Sequence, residues 1–159
     1  DEYTRRGFVD GRSARLPTVI IRPGQPNAAA SSFASGLFRE PLAGRDSIVP
    51  VSLDTPIALI GHRAAVGGLA RLTRLDSAEL GATRAIGLPA LEVTVADMCA
   101  AVRSRPEATG VVQVRVDPAI SAVVGSWPGR WDAGRSRRLG FPADDSLAQV
   151  IDDYLGDFG

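Results

Sequence analysis

The chain has 159 residues, 45% of them hydrophobic, with 18 basic and 18 acidic side chains and a formal net charge of +0. That is enough apolar material for one domain with a real core, or for part of a larger one. The even charge argues against nucleic acid, which calls for a basic face, and against electrostatic docking to a membrane, and no apolar run reaches the length of a membrane span.

The N-terminal "DEYTRRGFVDG" is charged and lacks the apolar middle of a signal peptide. Cys99 is alone, so no internal disulfide can form, which fits a reducing cytoplasm. Every basic residue is Arg; the sequence holds no Lys.

"DEYTRRGF" reads as the end of a helix that begins upstream. "RLPTVIIR", Arg15 to Arg22, is a β-branched run that predicts a buried strand. A long loop of small residues follows, "RPGQPNAAASSFASG". "SSFASGLFREPLAG" predicts a helix with Ser31 or Ser32 as N-cap and Phe33, Leu37 and Phe38 on one face, ended by Pro41 and Gly44. "SIVPVS" and "PIALIG" predict short strands, the first an edge strand because of Pro50. His62 to Leu75 has Ala65, Leu69 and Leu72 at helical spacing, with Arg71 and Arg74 at the end that suits cations. "RAIGLP" predicts another strand. "TVADMCAAVRSR" predicts a helix with Thr94 as N-cap and Asp97 at its third position. "GVVQVRVDP" alternates as a half-exposed strand, and "PAISAVVGS" predicts a short helix. "WPGRWD" is a tight turn between two Trp. "AGRSRRLGF" and "DDSLAQVIDDYLGDF" predict the last two helices. The order is mixed α/β, with no internal repeat.

Much chemistry is missing. His62 is the only His, and no Gly-x-Ser-x-Gly elbow is present. His62 and Cys99 have no metal-ligand spacing, so no metal site is expected. No Walker sequence and no Gly-x-Gly-x-x-Gly turn occur. His62 reads as a helix-start residue bonded to backbone, with no partner carboxylate nearby in sequence. The loop is the first candidate site. A helix N-terminus with small residues before it lets an anion approach its N–H groups, and Asn27, Ser31 and Ser32 add short polar arms; simple capping would explain the serines equally. "GSWPGRWD" is the second. Arg130, between Trp127 and Trp131, could offer a fork to a carboxylate or stack on an indole. Arg63 lies at a helix N-terminus, where a cation needs a neighbouring Asp or a bound anion.

"LPTVIIRPGQPNAAASSFASGLFREPLAG" and "VVGSWPGRWDAGRSRRLGF" resemble the C-terminal half of the extended short-chain dehydrogenase/reductases, the NAD-dependent epimerase/dehydratase group, and within it most of all the branch that oxidises D-erythronate. The resemblance runs along essentially the whole chain. It implies an α/β fold: the last Rossmann strand or strands with a loop and helix in residues 1–45, and a small mixed α/β substrate-binding portion in residues 46–159. It implies NAD as cofactor, with Pro23, Gly24 and Pro26 facing the nicotinamide. Gln25, Asn27, Ser31 and Ser32 would lie toward the substrate, and Arg130 and Arg63 would hold a substrate carboxylate.

Three departures stand out. Where the group often has Arg-x-x-Asn after this strand, Gln25 holds the Asn place. The helix at Arg63 opens "IGHRAAV" in place of a His-Val-x-Asp-like entry. The group's catalytic Tyr-x-x-x-Lys cannot be present without Lys, and Tyr3 is followed by "TRRG". The chain therefore reads as a C-terminal piece with no catalytic residue of its own, inactive alone. Its implied partners are a small sugar acid and an N-terminal Rossmann half of the same protein, with a homodimer possible. Two alternatives stay open: the same half of a nucleotide-sugar epimerase or dehydratase, and a free-standing binding domain. Against the last, the strand Thr18–Arg22 shows no obvious sheet neighbour within the chain.

Overall fold

Pro17 and the glycine turns cut the chain into short elements. A computed structural model describes residues 2–25, 27 and 29–159. Its elements, in chain order, are α1 (Glu2–Arg5), β1 (Ser13–Arg15), β2 (Thr18–Ile20), α2 (Ser32–Leu42), β3 (Ser47–Val49), β4 (Pro56–Gly61), α3 (His62–Arg74), α4 (Ser77–Leu80), β5 (Ala85–Gly87), β6 (Leu91–Thr94), α5 (Val95–Arg103), β7 (Val112–Val114), α6 (Pro118–Gly125), α7 (Gly134–Arg138) and α8 (Leu147–Phe158).

Two strand expectations are corrected. The run Arg15–Arg22 is not one strand. Pro17 has no N–H to give a ladder, and the run splits there into β1 and β2, which join different sheets. Nor is the second part without a neighbour. β2 pairs in parallel with β4, Thr18 opposite Leu59 and Ile20 opposite Gly61. β4 pairs antiparallel with β6 on its other side, giving the order β2-β4-β6. β1 pairs in parallel with β5, and β3 with β7.

β4 is the buried centre. Ile57 and Leu59 face one core with Ile20, Phe33, Leu37, Phe38, Met98 and Ile151. Ile60 faces a second core with Ala64, Leu72, Ile86 and Phe141. A strand covered on both faces reads as a continuous apolar run, as "IALI" does.

α2 is buried from Phe33 to Pro41. Its polar residues Ser35, Arg39 and Glu40 are therefore carried inside, where polar groups must find partners. α5 opens with a full capping box. Thr94 Oγ1 accepts from Asp97 N at 3.2 Å and Asp97 Oδ2 accepts from Thr94 N at 2.8 Å. The hydrogen bonds from Thr94 hold the Asp97 carboxyl below its ordinary value. Ser146 caps α8, its Oγ accepting from Gln149 N at 3.1 Å.

α8 is tied to the start of α3. His62 Nε2 lies 2.8 Å from Asp157 Oδ2. Arg63 donates from Nε and Nη2 to the two oxygens of Asp157 at 2.8 and 2.7 Å, and from Nη1 to Asp153 at 2.5 Å. His62 is thus a helix-start residue, but its partner is a carboxylate 95 positions away and not the backbone. Hydrogen bonds from Arg63 and His62 push the Asp157 carboxyl far below the usual aspartate value. A lowered folded-state value adds stability that is complete above the unfolded value, near pH 4, and drains as pH falls below it. Asp157→Asn is expected to flatten that acid limb of stability, measured as unfolding midpoint against pH. An acid limb identical to the unsubstituted protein's would show that this contact does not couple the helices.

Candidate functional site

The loop after β2 starts from a fixed point. Arg22 N donates to Ser35 Oγ at 3.3 Å, and Arg22 O accepts from Arg39 Nη1 at 3.0 Å. Both partners are buried on α2. Arg39 in turn donates to Glu40 Oε1 at 2.8 Å, and Glu40 Oε2 accepts from Arg45 at 2.7 Å. Burial opposes ionisation of Glu40, but the bonds from Arg45 and Arg39 outweigh it and hold its carboxyl below the ordinary glutamate value. The main chain of Arg22 is therefore clamped from inside the protein.

Beyond that point the loop is exposed. Gly24 has φ +104°, a backbone region L side chains rarely adopt, and no atom lies within 4 Å of where a Cβ would stand. Pro23 and Gln25 flank it, both exposed. Pro26, expected to face the nicotinamide, lies outside the described residues. Asn27 Oδ1 accepts from Ala29 N at 3.0 Å, and Ser32 Oγ accepts from Asn27 N at 3.1 Å. Asn27 and Ser32 thus shape the loop itself.

The capping expectation holds in position but not in the side-chain bond. Ser31 holds the N-cap position of α2, yet among the described residues its hydroxyl makes no capping bond, because its backbone is helical (φ −76°, ψ −8°) and not extended.

Ser31 lines a cavity of about 400 Å³ together with Arg22, Thr18, Trp127 and Trp131. Trp131 is pinned there. Its Nε1 donates to Leu88 O at 2.7 Å and its N to Glu92 Oε1 at 2.7 Å. The indole passes over Gly87, where a Cβ would stand 3.4 Å from Nε1. Asn27 and Ser32 line a different hollow, with Phe33, Ser47 and Ile120.

Arg130 is exposed and lines a third hollow with Pro56, Glu92, Thr94 and Asp97. It adjoins the cavity, since Pro128 and Ile57 line the cavity and Gly129 and Pro56 line the hollow. Arg63 stands apart, in a cleft with Asp144 and Asp153. The compensation that a cation at a helix start needs comes from Asp153 and Asp157. Asp144 reaches the same helix start, Oδ2 accepting from Gly61 N at 2.6 Å, and burial raises its carboxyl above the usual value.

The structure thus gathers Ser31 with the two Trp, puts Arg130 next door, and places Asn27, Ser32 and Arg63 elsewhere. The sequence reading missed Arg22 as a cavity residue. Its one signal was position, directly between the strand and the loop. Among the described residues no group of His, Cys, Asp and Glu could hold a metal ion, and no helix is long and apolar enough to cross a membrane.

No protein-family model matches the chain. It is 47% identical over 162 residues to a D-erythronate dehydrogenase of Cupriavidus necator, a match covering 99% of this chain and 49% of that protein. It is 38% identical over 157 residues to a D-erythronate dehydrogenase of Haemophilus influenzae, covering 98% of this chain and 50% of that one. The chain spans about half the length of these curated relatives. Among solved structures, a nucleoside-diphosphate-sugar epimerase of Agrobacterium tumefaciens superposes with a TM-score of 0.92 at 36% identity, over 99% of this chain and 46% of that one. An L-threonine dehydrogenase of Cupriavidus necator shares the fold, with a TM-score of 0.85 at 20% identity, over 99% of this chain and 50% of that one. The resemblance to the extended short-chain dehydrogenase/reductases is borne out, and so is the α/β fold of their C-terminal half.

Proposed function

We propose that this chain, homologous to D-erythronate dehydrogenases and folded as the C-terminal half of an epimerase-type short-chain dehydrogenase/reductase, supplies the substrate side of an NAD-dependent oxidoreductase acting on a short sugar acid such as D-erythronate. The observation that carries the reading is the 47% identity along 99% of the chain to a protein named for that activity. The cavity beside the clamped loop supports it. About 400 Å³ is at the small end for ligand pockets.

Residues 1–45 would carry the end of the Rossmann portion and the loop, and residues 46–159 the substrate portion. The open backbone at Pro23, Gly24 and Gln25 fits close approach by a flat ring, and this stretch is what the chain offers to a nicotinamide. NAD would supply the hydride acceptor. Its Gly-rich turn and the Tyr-Lys pair that removes the proton would come from an N-terminal half, since this chain has no Lys. Ser31 and Arg130 are the polar groups offered to substrate; Asn27 and Ser32 would act by shaping the loop beside it, and Arg63 through the α3–α8 contact. By itself the chain is expected to turn over nothing.

A second reading, the same half of a nucleotide-sugar epimerase, draws on the 36% identity to the Agrobacterium protein and on two indoles at the cavity that could carry a base. One experiment separates them. The natural protein that contains this chain, purified intact, is expected to reduce NAD with D-erythronate and to leave UDP-glucose and UDP-galactose unchanged. Interconversion of those two sugars without sugar-acid oxidation would establish the second reading and end the first.

A further inference from the structure

We propose that Arg22 holds the substrate carboxylate, with the Ser31 hydroxyl beside it and Trp127 and Trp131 closing the cavity around the carbon chain. The assignment rests on the sugar-acid reading above.

Three arginines compete for the role, and their surroundings separate them. Arg63 has both faces of its fork on Asp153 and Asp157, so an added anion would have to displace a carboxylate already bonded twice. Arg130 shares its hollow with Glu92 and Asp97. The bonds from Thr94 keep Asp97 ionised, and an anion entering there meets two negative groups for one positive. Arg22 is the one charged residue among those lining its cavity, and among the described residues no carboxylate pairs with its guanidinium. The cavity therefore carries one positive side chain, itself exposed, with no carboxylate among its lining residues and two half-buried indoles beside it, a setting for a charge-assisted bond.

The position is also prepared in advance. Buried Ser35 and Arg39 hold the N–H and the C=O of Arg22, so little backbone freedom is lost on binding. Ser31 lines the same cavity, and its hydroxyl makes no capping bond to α2. The pinned Trp131 fixes one wall. The neighbouring hollow, with Arg130, Glu92 and Asp97, mixes donors and acceptors and suits neutral hydroxyls at the far end of the same molecule.

The test uses the intact natural protein and steady-state oxidation of D-erythronate. Arg22→Met is expected to raise the KM for D-erythronate roughly 100-fold, as loss of a charged hydrogen-bond partner does, with NAD binding by fluorescence titration unchanged. Arg22→Lys, which keeps the charge and loses the fork, is expected to recover about tenfold of that. Erythritol, which has a hydroxymethyl in place of the carboxylate, is expected to inhibit the unsubstituted protein and Arg22→Met with similar constants, because it never used the charge. A KM for Arg22→Met within threefold of the unsubstituted value, or a larger rise from Arg130→Met than from Arg22→Met, would overturn the assignment. Should Arg22→Met fail to fold, Arg22→Lys decides alone: an unchanged KM overturns the fork geometry, and a tenfold rise supports it. If the unsubstituted protein oxidises no sugar acid, it is the underlying reading that fails, and the arginine assignment falls with it.

Discussion

Replacing Gly110 with alanine is expected to destabilise the fold by about 3 kcal/mol, at the upper end for overpacking. The reason is a backbone collision that no side chain can relieve. A Cβ at position 110 would stand 2.0 Å from the carbonyl oxygen of Arg45 and 2.5 Å from its carbonyl carbon. The two stretches run side by side at this point. Ser47 N donates to Val111 O at 2.9 Å, and Asp46 Oδ1 accepts from Val111 N at 2.9 Å. These bonds lead into the β3–β7 ladder, which starts at Ser47 opposite Val112. Arg45 cannot retreat freely, because its N donates to Glu40 O at 2.8 Å. The substitution must therefore pull the start of the ladder apart. Urea unfolding would read this as a lower midpoint with an unchanged slope. A midpoint within error of the unsubstituted protein would show that residues 105–111 relax at no cost and that the β3–β7 pairing contributes little.

The second large effect concerns Glu40. Its side chain and that of Arg39 are 11% and 7% exposed, with a closest approach of 2.7 Å. Removing one partner of a buried pair leaves the other charge uncompensated, at a cost of about 3 kcal/mol. Glu40→Ala is expected to show that loss. The double replacement Arg39→Met with Glu40→Leu is expected to be milder than Glu40→Ala by about 1 kcal/mol or more, since two apolar side chains strand no charge. The double variant still loses the donor to Arg22 O. Its catalytic defect in the intact protein should therefore exceed its stability defect. A double variant as unstable as the single one would mean that Arg39 matters through its backbone clamp and not through its charge.

Local chemistry carried much of the fold. Thr94 and Asp97, three positions apart before an apolar run, specify a capping box, and the box forms. Leu147, Val150, Ile151, Tyr154 and Leu155 specify the apolar stripe of α8; the first three are buried and the last two half-buried against the core. Gly44 at φ +70° and Gly140 at φ +69° stand just past helix ends, where a residue free to adopt that region is needed. The misses share one cause, which is pairing across long separations. A β-branched run shows a strand but not that Pro17 would divide it between two sheets, nor that β4, some forty residues on, would lie against β2. "LEVT" is too short to show a period, so β6 declares itself only by its place beside β4.

The candidate site follows the same division. The small-residue loop and the pair of Trp were legible because composition alone marks them. Which arginine lacks a carboxylate partner among the described residues was not. Arg63, Arg130 and Arg22 look alike in sequence. Their difference lies in carboxylates that folding brings from 90 residues away for Arg63 and from 33 and 38 residues away for Arg130, counted from Asp97 and Glu92. Ser31 likewise looked sufficiently explained as a cap until its backbone angles removed that role.

The measurement that tests the central claim most directly is NAD reduction by the natural protein, purified intact from its source, with D-erythronate as the only oxidisable substrate. Steady NADH formation that requires the sugar acid is the predicted result. No NADH formation with D-erythronate or any other short sugar acid, from a folded protein that binds NAD, would contradict it.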